Sequence, residues 1–479
     1  MNERGKNLLQ NTAILTISNF ATKILIFFLI PLYTGVLTTS EYGTYDFVTS
    51  TVSLIFPILT VNIIDAVMRF SMEERCSKDD IGRIGVKYVA RSVLIVLLCL
   101  SIIRIFGLLS DVHEYFIYIF FYYLTSSTYN FLVQYAKGCE QVKDMGIAGV
   151  LITICTIIFN ITFLVVFHLG LSGFFMASIL AEAVASIYFM IRLKLWERVR
   201  LGRNNKALEK EMLIYCVPLI ATALSWWINS TLDKYVVVYM CGIAANGLLA
   251  ISYKLPNIIN MLQNIFTQAW QISAVKEYGK DETAIFYGST FNIINTLMCA
   301  ACACIILFTR PLAHLLFANE FYDAWRFVPF LLMSSVINCA SGLLGPILCA
   351  SKNSKAMMWS AVIGAGANIG LNFLLVWLVG IQGATIATVL SSFIIYFVRK
   401  IAVGKGIIIN RYTIVLATWC LLCIQCIVEI YIGSYWIEAV IMAVLLVLNI
   451  STVKKIIHMA KQLIDEAWIK CRKVNDREK

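Results

Sequence analysis

Long apolar runs recur along this chain, separated by short polar segments. Fourteen runs can be counted, each with about 18 residues or more, enough to cross roughly 30 Å of hydrocarbon as an α-helix. Polar residues do not alternate with apolar ones inside the runs, so the pattern predicts helices rather than the strands of a membrane barrel. The predicted spans are 8–34, 43–68, 84–106, 114–136, 146–168, 171–192, 211–240, 244–272, 284–308, 326–350, 356–379, 382–400, 412–431 and 434–453.

Composition agrees with this pattern. Of the 479 residues, 60% are hydrophobic and only 14% are charged, whereas an average soluble domain has about 25% charged residues. We therefore expect an all-α polytopic membrane protein. Arg4 and Lys6 precede the first run, which is too long for a signal peptide and lacks a cleavage site, so we expect it to be a permanent helix.

The basic residues indicate which side of the membrane each loop faces. Each predicted span takes the chain to the other side of the membrane, so successive loops alternate between the two sides. On this basis 31 of the 39 Lys and Arg residues lie on the same side as the N-terminus. Three fall on the other side, at Arg104, Arg310 and Arg326. Cytoplasmic loops carry the excess of Lys and Arg, so both termini are expected in the cytoplasm. The net charge of +11 is accounted for in this way and predicts no nucleic-acid partner.

Two parts of the chain resemble each other. One apolar run ends in G-L-S-G at 170–173 and another ends in G-I-Q-G at 380–383, with Asn160 and Asn372 in matching positions before them. We expect two six-helix lobes in a parallel repeat, a design typical of transporters that bind substrate between the lobes. The predicted parts are an N-terminal lobe at 1–192, a linker at 193–210, a C-terminal lobe at 211–400, helices 13 and 14 at 401–453, and an amphipathic basic tail at 454–479.

Several charged residues lie within the predicted spans or at their ends; at the centre of the bilayer a charge costs about 2.5–3.5 kcal/mol on insertion scales. Some acid–base neighbours, such as Asp65 with Arg69, can be structural ion pairs. Lys23 and Lys254 have no acidic partner nearby in the sequence, and an ammonium group in such a place suits phosphate or another anion. The charged residues are Lys23, Asp46, Asp65, Arg69, Lys87, Arg91, Glu182, Asp233, Lys234 and Lys254.

Weaker patterns favour packing over chemistry. Cys420, Cys423 and Cys426 have a metal-like spacing, but they lie in an apolar helix, so we expect no metal site. Gly366 and Gly370 are interpreted as positions of close helix packing. Prolines in helices one, two, seven and eight suit either helices bent at a cavity or ordinary kinks; they are Pro31, Pro57, Pro218 and Pro256.

Several motifs resemble those of a known family. The chain is similar to the Wzx-type oligosaccharide flippases, the polysaccharide transport branch of the multidrug/oligosaccharidyl-lipid/polysaccharide superfamily, whose fold is shared with MATE exporters. The matching segments are K-N-L-L-Q-N-T-A-I-L-T from Lys6, K-I-L-I-F-F-L-I-P-L-Y-T from Lys23, E-Y-G-T-Y-D from Glu41, P-I-L-T-V-N-I-I-D from Pro57, L-D-K-Y from Leu232, N-G-L-L-A-I-S-Y-K-L-P from Asn246 and F-T-Q-A-W-Q from Phe266.

The resemblance implies a function. An undecaprenyl-diphosphate-linked oligosaccharide would move from the cytoplasmic to the outer leaflet for O-antigen or capsule synthesis. Its pyrophosphate would meet basic residues, namely Lys23, Lys254 and Arg69, with Arg91 and Lys234 in the same site. A proton or Na⁺ gradient would drive the step through one of four carboxylates, namely Asp46, Asp65, Glu182 or Asp233. A polysaccharide polymerase and a chain-length regulator are further expected partners, with membrane lipids, and no cofactor is expected.

Two other classes remain open at this point. A MATE-like exporter of drugs or metabolites would share the fold, although such cavities usually present carboxylates rather than the bases found here. A membrane enzyme, such as a glycosyltransferase or polymerase, would need a sizeable loop with catalytic carboxylates. The longest outer loop, Thr309 to Trp325, carries only Glu320 and Asp323, so we do not expect an enzyme.

Overall fold

The computed structural model describes residues 27–107, 110–351, 353–458 and 461. Within this part there are helices and no strand, which confirms the all-α membrane fold class. The helices are α1 (Ile30–Val36), α2 (Thr39–Leu59), α3 (Ile63–Ser71), α4 (Lys78–Ile105), α5 (Phe116–Gly138), α6 (Val142–Asn160), α7 (Gly170–Arg192), α8 (Leu195–Leu201), α9 (Lys206–Cys241), α10 (Ile243–Ser252), α11 (Pro256–Glu277), α12 (Thr283–Leu307), α13 (Thr309–Leu316), α14 (Val328–Ala350), α15 (Ser354–Val379), α16 (Ile381–Val403), α17 (Tyr412–Tyr431), α18 (Tyr435–Leu448) and α19 (Ile450–His458).

Nine helices in the described part are long and apolar enough to cross a membrane, or eleven if each of two bent pairs is one span. These eleven coincide with eleven of the fourteen predicted spans. The predicted spans 114–136 and 244–272 are helical as well, as α5 and as α10 with α11. Of the predicted span 8–34 the structure describes only residues 27–34, and most of the predicted tail at 454–479 also lies outside the described residues.

The chain divides into two compact units. The first contains residues 1–250 and 316–321, and the second contains residues 251–315 and 322–479. The first unit thus includes α9 and most of α10, beyond the 193–210 segment. That segment is itself partly helical, because it holds α8 and the start of α9. The division into six-helix lobes stays a prediction.

Each unit has its own apolar core. In the first unit, α3, α4, α5 and α7 meet around fully buried side chains such as Ile63, Ile81, Leu132 and Phe189. In the second unit, α14 is the central helix, because most of its residues are buried, and it packs against α11, α12, α16 and α17. Burial on this scale fixes the helices that carry the charged residues described below.

A sharp bend separates α2 from α3. The two helices meet at 64°. Pro57 lies within the last turn of α2, and Val61 and Asn62 at the break have φ angles of 54° and 49°. These positive φ angles end α2 and turn the chain into α3. Pro57 precedes this break and Pro218 lies inside the continuous helix α9, and the bending of helices by proline at a cavity stays a prediction.

The two G-x-x-G turns are built alike. The first glycine of each, Gly170 and Gly380, has φ of 53° and 63°, a conformation that other residues rarely adopt. The second glycine, Gly173 or Gly383, faces backbone of the preceding segment so closely that an added Cβ would meet a carbonyl. The turns therefore need both glycines, which is a structural likeness between the two segments that resemble each other in sequence.

The interpretation of Gly366 and Gly370 is wrong. A Cβ added at either position would meet nothing within 4 Å, whereas one added at Gly364 would meet the side chain of Ile395. The close approach in α15 is thus two residues before Gly366, on the opposite face of the helix from the pair that the sequence suggested. Gly and Ala are frequent in membrane helices, so their spacing alone does not identify the packed face.

Replacing Gly383 by alanine adds one methyl group and tests whether the turn requires glycine at this position. We expect Gly383→Ala to destabilise the protein by about 1–3 kcal/mol, because overpacking forces backbone to move, and to lower the thermal unfolding midpoint of the protein in detergent. Gly366→Ala is the matched control. Open space surrounds Gly366, so this change should leave the midpoint equal or slightly higher. Equal midpoints for both variants would contradict the role given to Gly383.

Candidate functional site

An ion pair joins α2 and α9 within the first unit. The ammonium Nζ of Lys234 lies 2.9 Å from Oδ1 of Asp46, and the two side chains are only 16% and 17% exposed. Thr38 and Glu41 cap the start of α2 with reciprocal hydrogen bonds, which holds the helix that presents Asp46 two turns later. Two residues that the sequence assigned to different roles, ion coupling and substrate binding, are therefore direct partners.

Asn246 of α10 completes this cluster. Its fully buried amide Nδ2 donates to Oδ2 of Asp46 at 3.3 Å and to the carbonyl of Gly43 at 3.0 Å. The approach of α2 to α10 depends on Gly43 and Gly247, because a Cβ at either position would overlap the opposite backbone. Asp46 thus receives a cation on one oxygen and a neutral donor on the other. We call Asp46, Lys234 and Asn246 the acid–base cluster.

Aromatic and hydroxyl groups of α2 and α9 lie next to this cluster, after Asp46 in α2 and on either side of Lys234 in α9. The hydroxyl of Tyr235 lies 2.6 Å from Oγ1 of Thr51, and the indole of Trp227 donates to the carbonyl of Ser50 at 3.0 Å. The ring of Phe47 packs on Tyr235 with centroids 4.8 Å apart. Such a surface offers neutral hydrogen-bonding groups and ring faces, which suits a polar and uncharged part of a ligand.

Of the other predicted carboxylates, Asp233 is the chain neighbour of Lys234, whereas Glu182 and Asp65 have partners outside the acid–base cluster. Glu182 accepts a hydrogen bond from Thr125 at 3.1 Å. Asp65 accepts one from Asn62 at 2.7 Å at the start of α3. Asp233 is 4% exposed and accepts from the backbone N–H of Lys234 at 3.0 Å. Asp46 is the candidate carboxylate that is paired with a predicted substrate-binding residue, Lys234.

The predicted basic residues of α3 and α4 form surface pairs. Arg69 lies 3.0 Å from Glu73, one helical turn away, and not on Asp65. The Arg75 guanidinium is hydrogen-bonded to Glu73 and holds the pKa of that carboxyl below its usual range. The guanidinium of Arg91 lies 5.7 Å from the centroid of the Tyr88 ring. Exposed pairs of this kind contribute little to stability. Because the side chains of Arg69 and Arg91 are exposed, an anion can reach them.

A basic cavity of about 500 Å³ lies between α4 and the segment around α8. Its wall contains an indole, Trp196, that is 85% exposed. Lys87 lies 2.7 Å from Glu209, and Arg83 donates to the carbonyls of Val199 and Gly202. The basic lining residues are Arg83, Lys87, Arg200 and Arg203. A cavity with four cationic side chains suits a phosphate-bearing ligand.

Two predicted residues are not part of these groups. Lys254 belongs to the second unit, at the break between α10 and α11, and is half-buried. Lys23 lies outside the described residues. Their assignment to the substrate therefore stays a prediction.

Sequence reasoning missed four charged residues. Glu209 was taken as part of a surface linker, although it binds Lys87 and Tyr88. Glu429 and Glu438 are buried in α17 and α18, and Arg310 contacts Glu429. Both glutamates lie within predicted spans, so the signal that identified Lys254, a charge inside an apolar run, was present for them too.

The fold and the buried charges define a polytopic membrane protein. The family model of the polysaccharide biosynthesis proteins matches residues 8–271. The chain therefore belongs to the polysaccharide biosynthesis protein family. No curated protein is similar enough in sequence to count as a relative.

Solved structures share the fold over most of the chain. The lipid II flippase MurJ, in an inward closed conformation, is 14% identical, with a TM-score of 0.64 over 93% of this chain and 99% of that one. A MOP superfamily transporter from Pyrococcus furiosus, described by a binding pocket of reverse polarity, is 16% identical, with a TM-score of 0.53 over 83% and 93%. The MATE transporter VcmN of Vibrio cholerae is 15% identical, with a TM-score of 0.51 over 83% and 96%.

A double-mutant cycle measures the coupling inside the acid–base cluster. We expect Asp46→Asn and Lys234→Met each to lower stability, because each leaves a half-buried charge without its counterion. The double variant should be more stable than the sum of the two losses predicts, by about 1–3 kcal/mol. Thermal or denaturant unfolding of the purified protein measures these differences.

The exposed pair of Lys280 and Glu277, 2.8 Å apart, provides the control cycle. Its coupling should stay below about 1 kcal/mol, because solvent screens both charges. Strictly additive losses at Asp46 and Lys234 would show that their contact contributes no more than a surface pair.

Proposed function

We propose that this protein is a flippase for undecaprenyl-diphosphate-linked oligosaccharides. It moves them from the cytoplasmic to the outer leaflet of the bacterial inner membrane, for O-antigen or capsule synthesis, by alternating access coupled to an ion gradient. The observation that carries the proposal is membership of the polysaccharide biosynthesis family. The fold it shares with a lipid II flippase supports the lipid-linked class of substrate.

The acid–base cluster supplies a means of coupling. In the described state Asp46 neutralises Lys234. A proton or Na⁺ on Asp46, or a diphosphate on Lys234, would break this pair and leave the other member without its counterion. The occupancy of each residue thus changes the affinity of the other for its ligand, and such coupling is reciprocal. We therefore assign the coupling role to Asp46, ahead of Asp65, Glu182 and Asp233.

The basic cavity beside α8 is a suitable first contact for the substrate. With both termini in the cytoplasm, as the distribution of basic residues predicts, this cavity opens at the cytoplasmic leaflet. Arg83, Arg200 and Arg203 would attract the diphosphate there, with Arg69 and Arg91 nearby along the chain. The polyprenyl tail would meanwhile stay in lipid. Lys23 and Lys254 are the proposed contacts deeper in the pathway.

Reconstitution tests the proposal directly. Proteoliposomes containing the purified protein and a fluorescently labelled undecaprenyl-diphosphate oligosaccharide are scored for leaflet transfer, with and without a proton or Na⁺ gradient. We expect gradient-stimulated transfer. Lys234→Ala and Lys254→Ala should each reduce the rate by about tenfold or more, since a hydrogen bond to a charged group is worth about 1.5–3 kcal/mol. Asp46→Asn should retain slow transfer but lose the stimulation by the gradient.

Lys280→Ala is the matched control, because Lys280 is an exposed lysine paired with Glu277 on the surface. It should transfer substrate at the wild-type rate. Absence of transfer for every polyprenyl-diphosphate substrate would overturn the proposal. If the same proteoliposomes exported a cationic drug with the gradient, the MATE-like alternative would replace it.

A further inference from the structure

Two buried carboxyl groups face each other in the C-terminal helices of the second unit. Glu429 lies near the end of α17 and Glu438 at the start of α18, and both are 0% exposed. Their carboxyl groups are within hydrogen-bonding reach of each other. No described residue donates a hydrogen bond to any of their four oxygens. Buried polar groups normally have hydrogen-bond partners. We therefore expect a further ligand here that supplies a hydrogen-bond donor or a positive charge.

Among the described residues, the cation recorded at this pair is Arg310, which contacts Glu429. The guanidinium Nε of Arg310, in α13, lies 3.2 Å from Oε1 of Glu429, and its Nη2 donates to the backbone carbonyl of Glu429 at 2.7 Å. Arg310 also lies over the ring of Trp325, 4.3 Å from its centroid. The turn at Gly433 touches the guanidinium so closely that a Cβ there would overlap it. Arg310 is thereby fixed in place on the glutamate pair.

The remaining charged and titratable groups nearby do not balance the second carboxyl. Cys426 of α17 faces Glu438 but donates its thiol to the carbonyl of Pro329. Arg326 also lies by Trp325, 5.8 Å from the ring centroid, and is paired with Asp323 at 3.5 Å. With both glutamates ionised, two like charges would share a buried site with Arg310. Like charges at hydrogen-bonding distance cannot both persist without water or a counterion.

We propose that Glu429 and Glu438 form a proton-binding site that holds one shared proton. The proton comes from water and forms an O–H bond on one carboxyl, which then donates to the carboxylate of the other. The carboxylate keeps its charge opposite Arg310, so the site is neutral. This site is distinct from the acid–base cluster. With both termini in the cytoplasm, it lies towards the outer side of the membrane, at the turn that connects α17 and α18.

Infrared spectroscopy of the full-length protein in nanodiscs tests the site. A protonated carboxyl has a C=O stretching band, separate from that of a carboxylate, which shifts in D2O. We expect Glu438→Gln to lose an amount of this band equal to one carboxyl group relative to wild type. Glu429→Gln should lose the same amount, because the remaining glutamate is then ionised opposite Arg310. Glu277→Gln, at an exposed surface glutamate, should leave the band unchanged.

Arg310→Met gives a change in the opposite direction. Without the guanidinium both carboxyls should be protonated, so the band should increase by one carboxyl group. This variant keeps the inference testable if one of the glutamine variants fails to fold. A band in Glu438→Gln and Glu429→Gln equal to that of wild type would overturn the inference. Stabilisation of wild type by Na⁺ but not by choline, absent in Glu438→Gln, would overturn it in favour of a bound cation.

Discussion

The cost of a charge in hydrocarbon is the constraint on which the functional features of this chain depend. Water cannot solvate such a charge, so a partner must be built from side chains or supplied by a ligand. The ion pair of Asp46 and Lys234 meets this constraint within the first unit. The helices that carry it are held in place by a glycine contact and a buried amide. Because these helices are held in place, a ligand that binds here would act mainly on the contact between Asp46 and Lys234.

The fold could be predicted from the sequence to a large extent, because membrane helices are local features. A run of apolar residues specifies a helix whatever else it touches, since unpaired backbone groups are costly in lipid. Gly366 and Gly370 show the limit of this reasoning. Which face of a helix is packed depends on neighbours that are distant in the sequence.

The pairing of charges could not be predicted, because it depends on such neighbours. Lys234 and Asp46 are 188 residues apart, and no local pattern connects them. Arg69 had two acidic residues four positions away, Asp65 before it and Glu73 after it. The structure pairs it with Glu73, while Asn62 takes Asp65. The buried charges themselves could be identified from the sequence, and applying that criterion to α17 and α18 would have included Glu429 and Glu438.

The two buried sites differ in charge balance, and this difference assigns them different chemistry. In the ion pair of Asp46 and Lys234 each charge already has a counterion, so a ligand of either sign must displace one member. Such a pair couples an anion to a cation. At Glu429, Glu438 and Arg310 there are two acids and one base, so the site is incomplete until a positive charge enters. A proton is the smallest such charge, and it also supplies the donor that the buried oxygens lack. The first site therefore suits exchange of ligands, and the second suits retention of a proton.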